Sequence, residues 1–186
     1  MLSKVTKFAL ISLFALGAAS PAHAVKLLVE PYAGWSFLAK YADNSSGTEV
    51  DTNWNALTLG ARAGVDIGPI FIAADGSYLP TINAIDMKLL RVGGVVGLSI
   101  PNTPLRIWAG YNFIDKLSSK SSSNSLSGTA FKIGAGWMIL KIFSINAEYM
   151  LATYKSITVG GTSTDLATSN QNNSLLISLS LPFNFG

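Results

Sequence analysis

Apolar and polar residues alternate along the stretch ALTLGARAGVDI, residues 56–67. Its odd positions are all apolar, and its even positions are small, polar or charged, with Arg62 and Asp66 among them. Because successive side chains of a strand point to opposite sides, this pattern predicts a strand with one apolar and one polar face. The same alternation recurs along the chain and predicts eight strands, at about 27–38, 56–67, 70–79, 87–100, 105–116, 128–140, 143–154 and 173–185.

The connections between these strands fall into two classes. Those after the second, fourth and sixth strands are tight, and two of them carry the turn sequences Gly68-Pro69 and Pro101-Asn102-Thr103-Pro104. The longer ones are the polar segments 40–53, 117–127 and 156–172, with a shorter loop at 80–86. This alternation is typical of transmembrane barrels and places the tight turns and both termini in the periplasm. We expect the three long loops to carry any surface recognition.

The first 24 residues have the composition of a secretory signal peptide. Lys4 and Lys7 give a basic start, an apolar run follows over 8–19, and Ala22-His23-Ala24 has the small-x-small form of a cleavage site. We predict a cleaved signal peptide over 1–24 and a single β-barrel domain over 25–186. An uncleaved anchor helix is disfavoured, because the run falls short of the ~20 apolar residues that a span needs.

The composition of the chain suits a membrane protein. Charged residues make up 12% of the sequence and the mean hydropathy is +0.39, whereas soluble domains carry ~25% charged residues. After the leader no stretch approaches the ~18 apolar residues of a transmembrane helix, so a closed barrel remains as the way to satisfy backbone hydrogen bonds in lipid. The formal charge of +3 includes Lys4 and Lys7, so the mature chain is near neutral and does not predict a nucleic-acid partner.

The orientation of the two faces separates two kinds of barrel. A secreted, soluble barrel would turn the polar face to water. The strand glycines argue against it, since the narrow interior of an eight-stranded barrel needs small residues and a water-facing surface does not. Eight of them fall in the polar set: Gly34, Gly60, Gly64, Gly93, Gly97, Gly110, Gly134 and Gly136. We therefore predict an all-β, eight-stranded antiparallel up-and-down transmembrane β-barrel with its apolar face in lipid.

Aromatic residues of the apolar set stand near the ends of the predicted strands and indicate two interfacial girdles. The girdle residues are Phe37, Tyr78, Phe113 and Phe131 toward the long loops, and Phe143, Phe183 and Phe185 toward the periplasm. Trp35 and Trp137 lie deeper in their strands.

Eight charged residues belong to the predicted inward face. They are Glu30, Arg62, Asp66, Asp75, Arg91, Arg106, Lys132 and Glu148. Isolated charges would be costly in a narrow interior, so we expect ion pairs, for which Arg62 with Asp75 and Lys132 with Glu148 are candidates. A salt-bridged plug that fills the barrel is favoured over a gate or polar conduit.

Four stretches carry a resemblance to a known family: PYAGWSF, LTLGARAGVDI, KIGAGWMIL and SLLISLSLPFNF. In these the chain resembles the small outer-membrane β-barrel proteins of Gram-negative bacteria, of the outer membrane protein A (transmembrane domain), X and W type. The resemblance implies an outer-membrane location, a surrounding of outer-membrane lipid and lipopolysaccharide, a monomeric barrel, and a C-terminal aromatic residue read by the barrel-assembly machinery. Here that residue, Phe185, is followed by Gly186.

Three functions are compatible with this architecture. The favoured one is a non-enzymatic barrel that serves envelope structure or surface contact through its loops. The alternatives are a narrow channel for small solutes and a lipid-modifying enzyme. The enzyme is disfavoured because the only histidine, His23, lies in the leader, so that no Ser-His pair can form in the mature chain. No cofactor or metal is expected, since cysteine is absent and the acidic loop with Asp43, Glu49 and Asp51 lacks the spacing of a calcium site.

Overall fold

The computed structural model describes residues 25–42, 54–82, 87–139 and 142–186. The predicted signal peptide, the acidic loop with Asp43, Glu49 and Asp51, and most of the connection over 40–53 lie outside these residues. The strands are β1 (Val25–Ala42), β2 (Trp54–Ile67), β3 (Ile70–Leu79), β4 (Met87–Ser99), β5 (Leu105–Ser119), β6 (Ser125–Ile139), β7 (Phe143–Val159), β8 (Thr162–Ser180) and β9 (Phe183–Phe185). Within the described ranges no helix is long and apolar enough to cross a membrane.

The strands form one closed antiparallel sheet. Consecutive strands pair with each other, and β1 pairs with both β2 and β8. The short β9 continues β8 on the same neighbour, since Tyr32 pairs with Ser180 and Val29 with Phe183 in one register. Pro182, which has no N–H group to donate, separates the two segments. The predicted eight-stranded up-and-down barrel is therefore confirmed.

The stagger of the barrel follows from its register. A path of paired residues goes once around the barrel from Tyr32 on β1 to Asn170 on β8, through Gly60, Ser77, Arg91, Asp115, Gly128 and Tyr154. Each residue on this path is the paired partner of the one before it on the neighbouring strand. The direct partner of Tyr32 on β8 is Ser180, so the shear is the difference between 180 and 170, or 10 residues. Staggered barrels tilt their strands by ~35–45°, and eight strands leave an interior that side chains just fill.

Two of the predicted long loops are shorter than expected. β5 continues to Ser119 and β6 begins at Ser125, so the expected loop over 117–127 shrinks to 120–124. The expected loop over 156–172 is a hairpin, in which Val159 pairs with Thr162 across Gly160-Gly161. Both glycines have positive φ, 58° and 90°, as a two-residue hairpin turn requires. A polar composition marks exposure to water, but it does not prevent the strands from pairing.

The two faces of the barrel differ in chemistry. Leu57, Ile107 and Ile177 are 38–41% exposed on the outside, whereas Arg62 and Lys132 are at most 2% exposed inside. The outward apolar face and the inward charged face thus have the predicted orientation. We call the end with the β1–β2, β3–β4, β5–β6 and β7–β8 connections the loop end, and the opposite end, with both chain ends, the terminal end.

Candidate functional site

The barrel interior holds a central network of six charged side chains, three acidic and three basic. Its members are Glu30, Arg62, Asp75, Arg106, Lys132 and Glu148, none of them more than 4% exposed. They come from six different strands, β1, β2, β3, β5, β6 and β7. Because the alternation of each strand turns these residues inward and the barrel is narrow, their charged groups meet at its centre.

Arg62 is the hub of the central network. Its Nε lies 3.0 Å from Asp75 Oδ1, its Nη1 lies 3.4 Å from Glu30 Oε1, and its Nη2 donates to Glu148 Oε1. One guanidinium group therefore contacts all three acids, which suits its planar fork of donors. Trp108 and Tyr32 also stack on Arg62, with ring centroids 4.6 and 5.0 Å from its Cζ.

The remaining contacts close the network. Arg106 Nη2 lies 3.0 Å from Glu30 Oε2. Lys132 Nζ contacts Asp75 Oδ2 and lies 3.4 Å from Glu148 Oε2. Ser180 donates to Glu30 over 2.6 Å. The two candidate pairs from the sequence, Arg62 with Asp75 and Lys132 with Glu148, are thus both in contact. The network is electrically balanced, which lowers the cost of burying it.

A second ion pair lies nearer the loop end, between Arg91 and Asp115. Arg91 Nε donates to Asp115 Oδ2 over 2.9 Å, and the Tyr154 hydroxyl donates to Asp115 Oδ1 over 2.8 Å. Asp115 was not among the predicted inward charges, because strict alternation from Asn112 turns it outward. The structure has a bulge here, with Phe113 and Ile114 both exposed and the register shifted on both neighbouring strands. The apolar doublet Phe113-Ile114, between the polar residues Asn112 and Asp115, is the sequence signal that could have revealed the bulge.

Asp66 does not join the network. It is partly exposed at the terminal end and forms no ion pair with another described residue. Phe71 points inward and is 1% exposed, and the Cζ of Arg106 lies 4.5 Å from the centroid of its ring. Phe71 thus shares the inward face with the charges, although it was not among the inward residues predicted from the sequence.

An apolar cluster fills the interior at the loop end. Its members are Ala56, Leu79, Ile82, Leu89, Leu117, Leu126, Ala130, Ala152 and Tyr154. A second cluster of Leu28, Phe71, Ala73, Val95 and Trp108 lies beside the central network. Glycines make room for the rings: a Cβ on Gly60 would overlap Tyr32, and a Cβ on Gly134 would overlap Trp108.

The aromatic residues expected at the two interfaces lie on the outer face. Tyr78, Phe113, Phe131, Phe143, Phe183 and Phe185 are 40–59% exposed, and Phe37 is partly exposed. Phe131 lies nearer the middle of its strand than expected, opposite Tyr111, because β6 begins at Ser125. Trp35 and Trp137 are outward as well, at 45% and 55% exposed.

The closed eight-stranded barrel with an apolar exterior and an ion-paired interior has the architecture of the small outer-membrane β-barrels, and the predicted resemblance is confirmed for the fold. One similar solved structure is Neisserial surface protein A (NspA), which is 13% identical over 87% of this chain and 100% of its own, with a TM-score of 0.55. Others are a de novo designed transmembrane β-barrel (12% identical, 85% and 95% covered, TM-score 0.47) and Ail of Yersinia pestis in complex with sucrose octasulfate (16% identical, 85% and 99% covered, TM-score 0.47). The sequence matches no protein-family model and no curated protein.

Proposed function

We propose that the chain is a non-enzymatic integral outer-membrane β-barrel, which serves envelope structure or surface contact and whose interior is a plug of ion pairs. One observation carries the proposal: the barrel is apolar outside, and inside it is filled by a balanced network in which Arg62 contacts three acids. Acyl chains suit such an exterior, and a neutral network in which each charged side chain has an ion-pair partner suits a dry interior.

The plug reading is supported at three levels of the interior. The apolar cluster around Leu79, Leu89 and Leu117 occupies the loop end, the Arg91–Asp115 pair lies below it, and the central network follows. An ion that entered from the loop end would meet apolar side chains before it reached a compensating charge. Apolar constrictions of this kind oppose the passage of hydrated ions.

A narrow channel is the second candidate, and one observation favours it. Both Nη atoms of Arg91 and both amide atoms of Asn112 are buried without a hydrogen-bond partner among the described residues. Buried polar groups are normally satisfied by protein or by water. A hydrated path past Arg91 would satisfy them, although the apolar cluster stands between this path and the loop end.

Recordings in planar lipid bilayers distinguish the two candidates. Wild-type protein and Arg62→Ala are compared at equal amounts of folded barrel. The plug predicts a silent wild type and a silent Arg62→Ala, because the apolar cluster at the loop end and the Arg91–Asp115 pair both remain when Arg62 is removed. Discrete wild-type conductance that persists in Arg62→Ala would support the channel instead.

We also propose that the barrel has no lipid-modifying activity, because of where its interior acids lie. Glu30, Asp75 and Glu148 are all buried in ion pairs, so none of them is available at the membrane surface as a general base. Mass spectrometry of lipid A from cells with and without the protein should give identical acylation and phosphorylation. A mass shift that depends on the protein would overturn this part.

The location and processing are proposed together. We infer export by the leader, cleavage after Ala24, insertion by the barrel-assembly machinery through Phe185, periplasmic chain ends and a monomer in outer-membrane lipid and lipopolysaccharide. A heat-modifiable band in the outer-membrane fraction whose N-terminal residue is Val25 is the expected result. An intact leader, or recovery in the soluble fraction, would contradict it.

A further inference from the structure

A groove lies on the outer face of the barrel, halfway along β3 to β6. It has a volume of about 390 Å³ and an apolar lining that includes Ile72, Gly94, Val96, Ala109, Tyr111 and Phe131. Gly94 has no side chain and Ala109 only a methyl group, so these two form the floor. The larger side chains around them are about half exposed and form the walls. Two convex barrels would touch along their ridges, so a flexible chain fills this recess better than a second copy does.

Two lysines stand above the groove, toward the loop end. Lys88 on β4 and Lys116 on β5 both point outward and are exposed, and they are close neighbours because Lys116 pairs with Leu90 and Lys88 with Ser118. Neither forms an ion pair with any residue that the structure describes. Two adjacent outward ammonium groups at the edge of an apolar face suit a phosphate group.

The distance between the two lysines and the groove, measured along the barrel axis, corresponds to the thickness of one membrane leaflet. Lys88 is six residues from Gly94 along β4, or ~20 Å at ~3.3 Å per residue. With a strand tilt of ~35–45°, this is about 15 Å along the barrel axis. The apolar band of outer-membrane barrels is ~25 Å tall. A headgroup at Lys88 and Lys116 would therefore lie at the membrane surface while its acyl chain reached the groove near the midplane.

We propose that this face binds one phosphate-bearing lipid of the leaflet at the loop end. Its phosphate contacts Lys88 and Lys116, and one acyl chain runs over Val92 and Ile114 into the groove at Gly94. This inference rests on the proposed membrane location, since only there does the groove face lipid. It adds a particular binding site to the general lipid surroundings of the barrel.

The test uses native mass spectrometry of the refolded mature barrel in detergent. Dipalmitoyl phosphatidic acid and dipalmitoyl glycerol, which differ only in the phosphate, are added at equal concentration. We expect the wild type to retain one phosphatidic acid in preference to the glyceride. Lys88→Gln with Lys116→Gln should lower that preference roughly tenfold. Lys26→Gln, an exposed lysine at the terminal end, is the matched control and should change nothing.

The groove is tested by filling its floor. A Cβ at Gly94 meets nothing closer than 3.7 Å, and one at Gly76, which is outside the groove lining, meets nothing closer than 3.9 Å. Gly94→Ile should therefore fold, as the heat-modifiable band reports, and lose retention of both lipids, whereas Gly76→Ile should retain them. Ala109→Leu fills the same floor and serves as the second groove variant.

Several outcomes would overturn the inference. Equal retention by Gly94→Ile and Gly76→Ile, or an unchanged preference without the two lysines, removes the lipid site. Binding of inorganic phosphate without lipid would make the lysines a free anion site, and a wild-type dimer abolished by Gly94→Ile would make the groove a contact between copies. A wild type that inserts into vesicles yet retains no phosphatidic acid refutes this inference alone, whereas one that does not insert refutes the proposed function as well.

Discussion

Arg62 is the residue on which the interior depends most, because it contacts Glu30, Asp75 and Glu148 at once. Arg62→Met would leave three buried acids with two bases. Removal of one partner from a buried ion pair typically costs ~3–5 kcal/mol. We expect a loss of this size in the free energy of unfolding, measured by urea titration in lipid vesicles. Lys26→Met, an exposed control, should lie within ~0.5 kcal/mol of wild type. A loss below about 1 kcal/mol for Arg62→Met would contradict the hub role.

Glycine at position 60 is required by contact with a ring. A Cβ there would overlap the Tyr32 side chain, whereas a Cβ at Gly76, on the outer face, makes only an ordinary contact of 3.9 Å with the Arg91 carbonyl oxygen. Gly60→Ala should destabilise the barrel by ~1–3 kcal/mol through overpacking, and Gly76→Ala should be neutral or stabilising by up to ~1 kcal/mol. Urea titration of the two variants side by side gives the comparison. Equal effects at both positions would mean that the contact with Tyr32 does not matter.

Residue-level prediction succeeded where neighbouring strands are regular. Arg62 and Asp75 are direct partners on β2 and β3, so their contact follows from the hairpin at Gly68-Pro69. Arg91 and Asp115 are also direct partners, but the sequence did not pair them, because the bulge at Phe113 changes which side Asp115 faces. The Arg62 contact with Glu148 joins β2 to β7 across the lumen. Such contacts depend on the shear, which a single sequence does not reveal.

At the scale of the element, β5 shows how one extra residue directs chemistry. Phe113 and Ile114 both face outward, and this lets Asp115 face Arg91 in the interior and Lys116 face outward. Deletion of Ile114 would leave Phe113 outward and Asp115 inward, in regular alternation. The variant should therefore still fold. Deletion of Ala109, in a regular part of β5, would reverse one half of the strand and bring charge to lipid.

The heat-modifiable band of the refolded variants checks this expectation. A folded band for the Ile114 deletion and none for the Ala109 deletion is the expected result. If both deletion variants fold equally well, then the inward orientation of Asp115 does not determine the register of β5.

The strand ends were the least predictable part of the elements. β7 and β8 extend to a Gly160-Gly161 turn through a polar segment expected to be a loop. The sequence signal there is a two-glycine turn between residues rich in Thr and Ser. It is weaker than an apolar alternation because few apolar residues of this segment pack inward, Ile157 and Leu166 being partly buried against the apolar cluster at the loop end. Such strands are specified by the neighbours with which they pair, and pairing is not visible along one chain.

For the whole molecule, the outward apolar face is the property on which location depends. A charge placed on it should cost stability in lipid according to depth: ~2–4 kcal/mol for arginine at the midplane and ~0–1 kcal/mol near an interface. Val96 lies beside the central groove, and Ile67 lies at the terminal end of β2. Both are outward, at 53% and 46% exposed. The two positions thus form a matched pair that differs mainly in depth.

We expect Val96→Arg to lower the free energy of unfolding in lipid vesicles by ~2–4 kcal/mol and Ile67→Arg by at most ~1 kcal/mol. The same two variants in detergent micelles, whose surface adapts to a charge, should differ less. In a barrel whose outer face meets water, arginine would be tolerated at both positions, since exposed substitutions usually change stability by less than ~0.5 kcal/mol. A small and equal effect at Val96 and Ile67 would therefore remove the membrane-spanning function and, with it, the lipid site above Gly94.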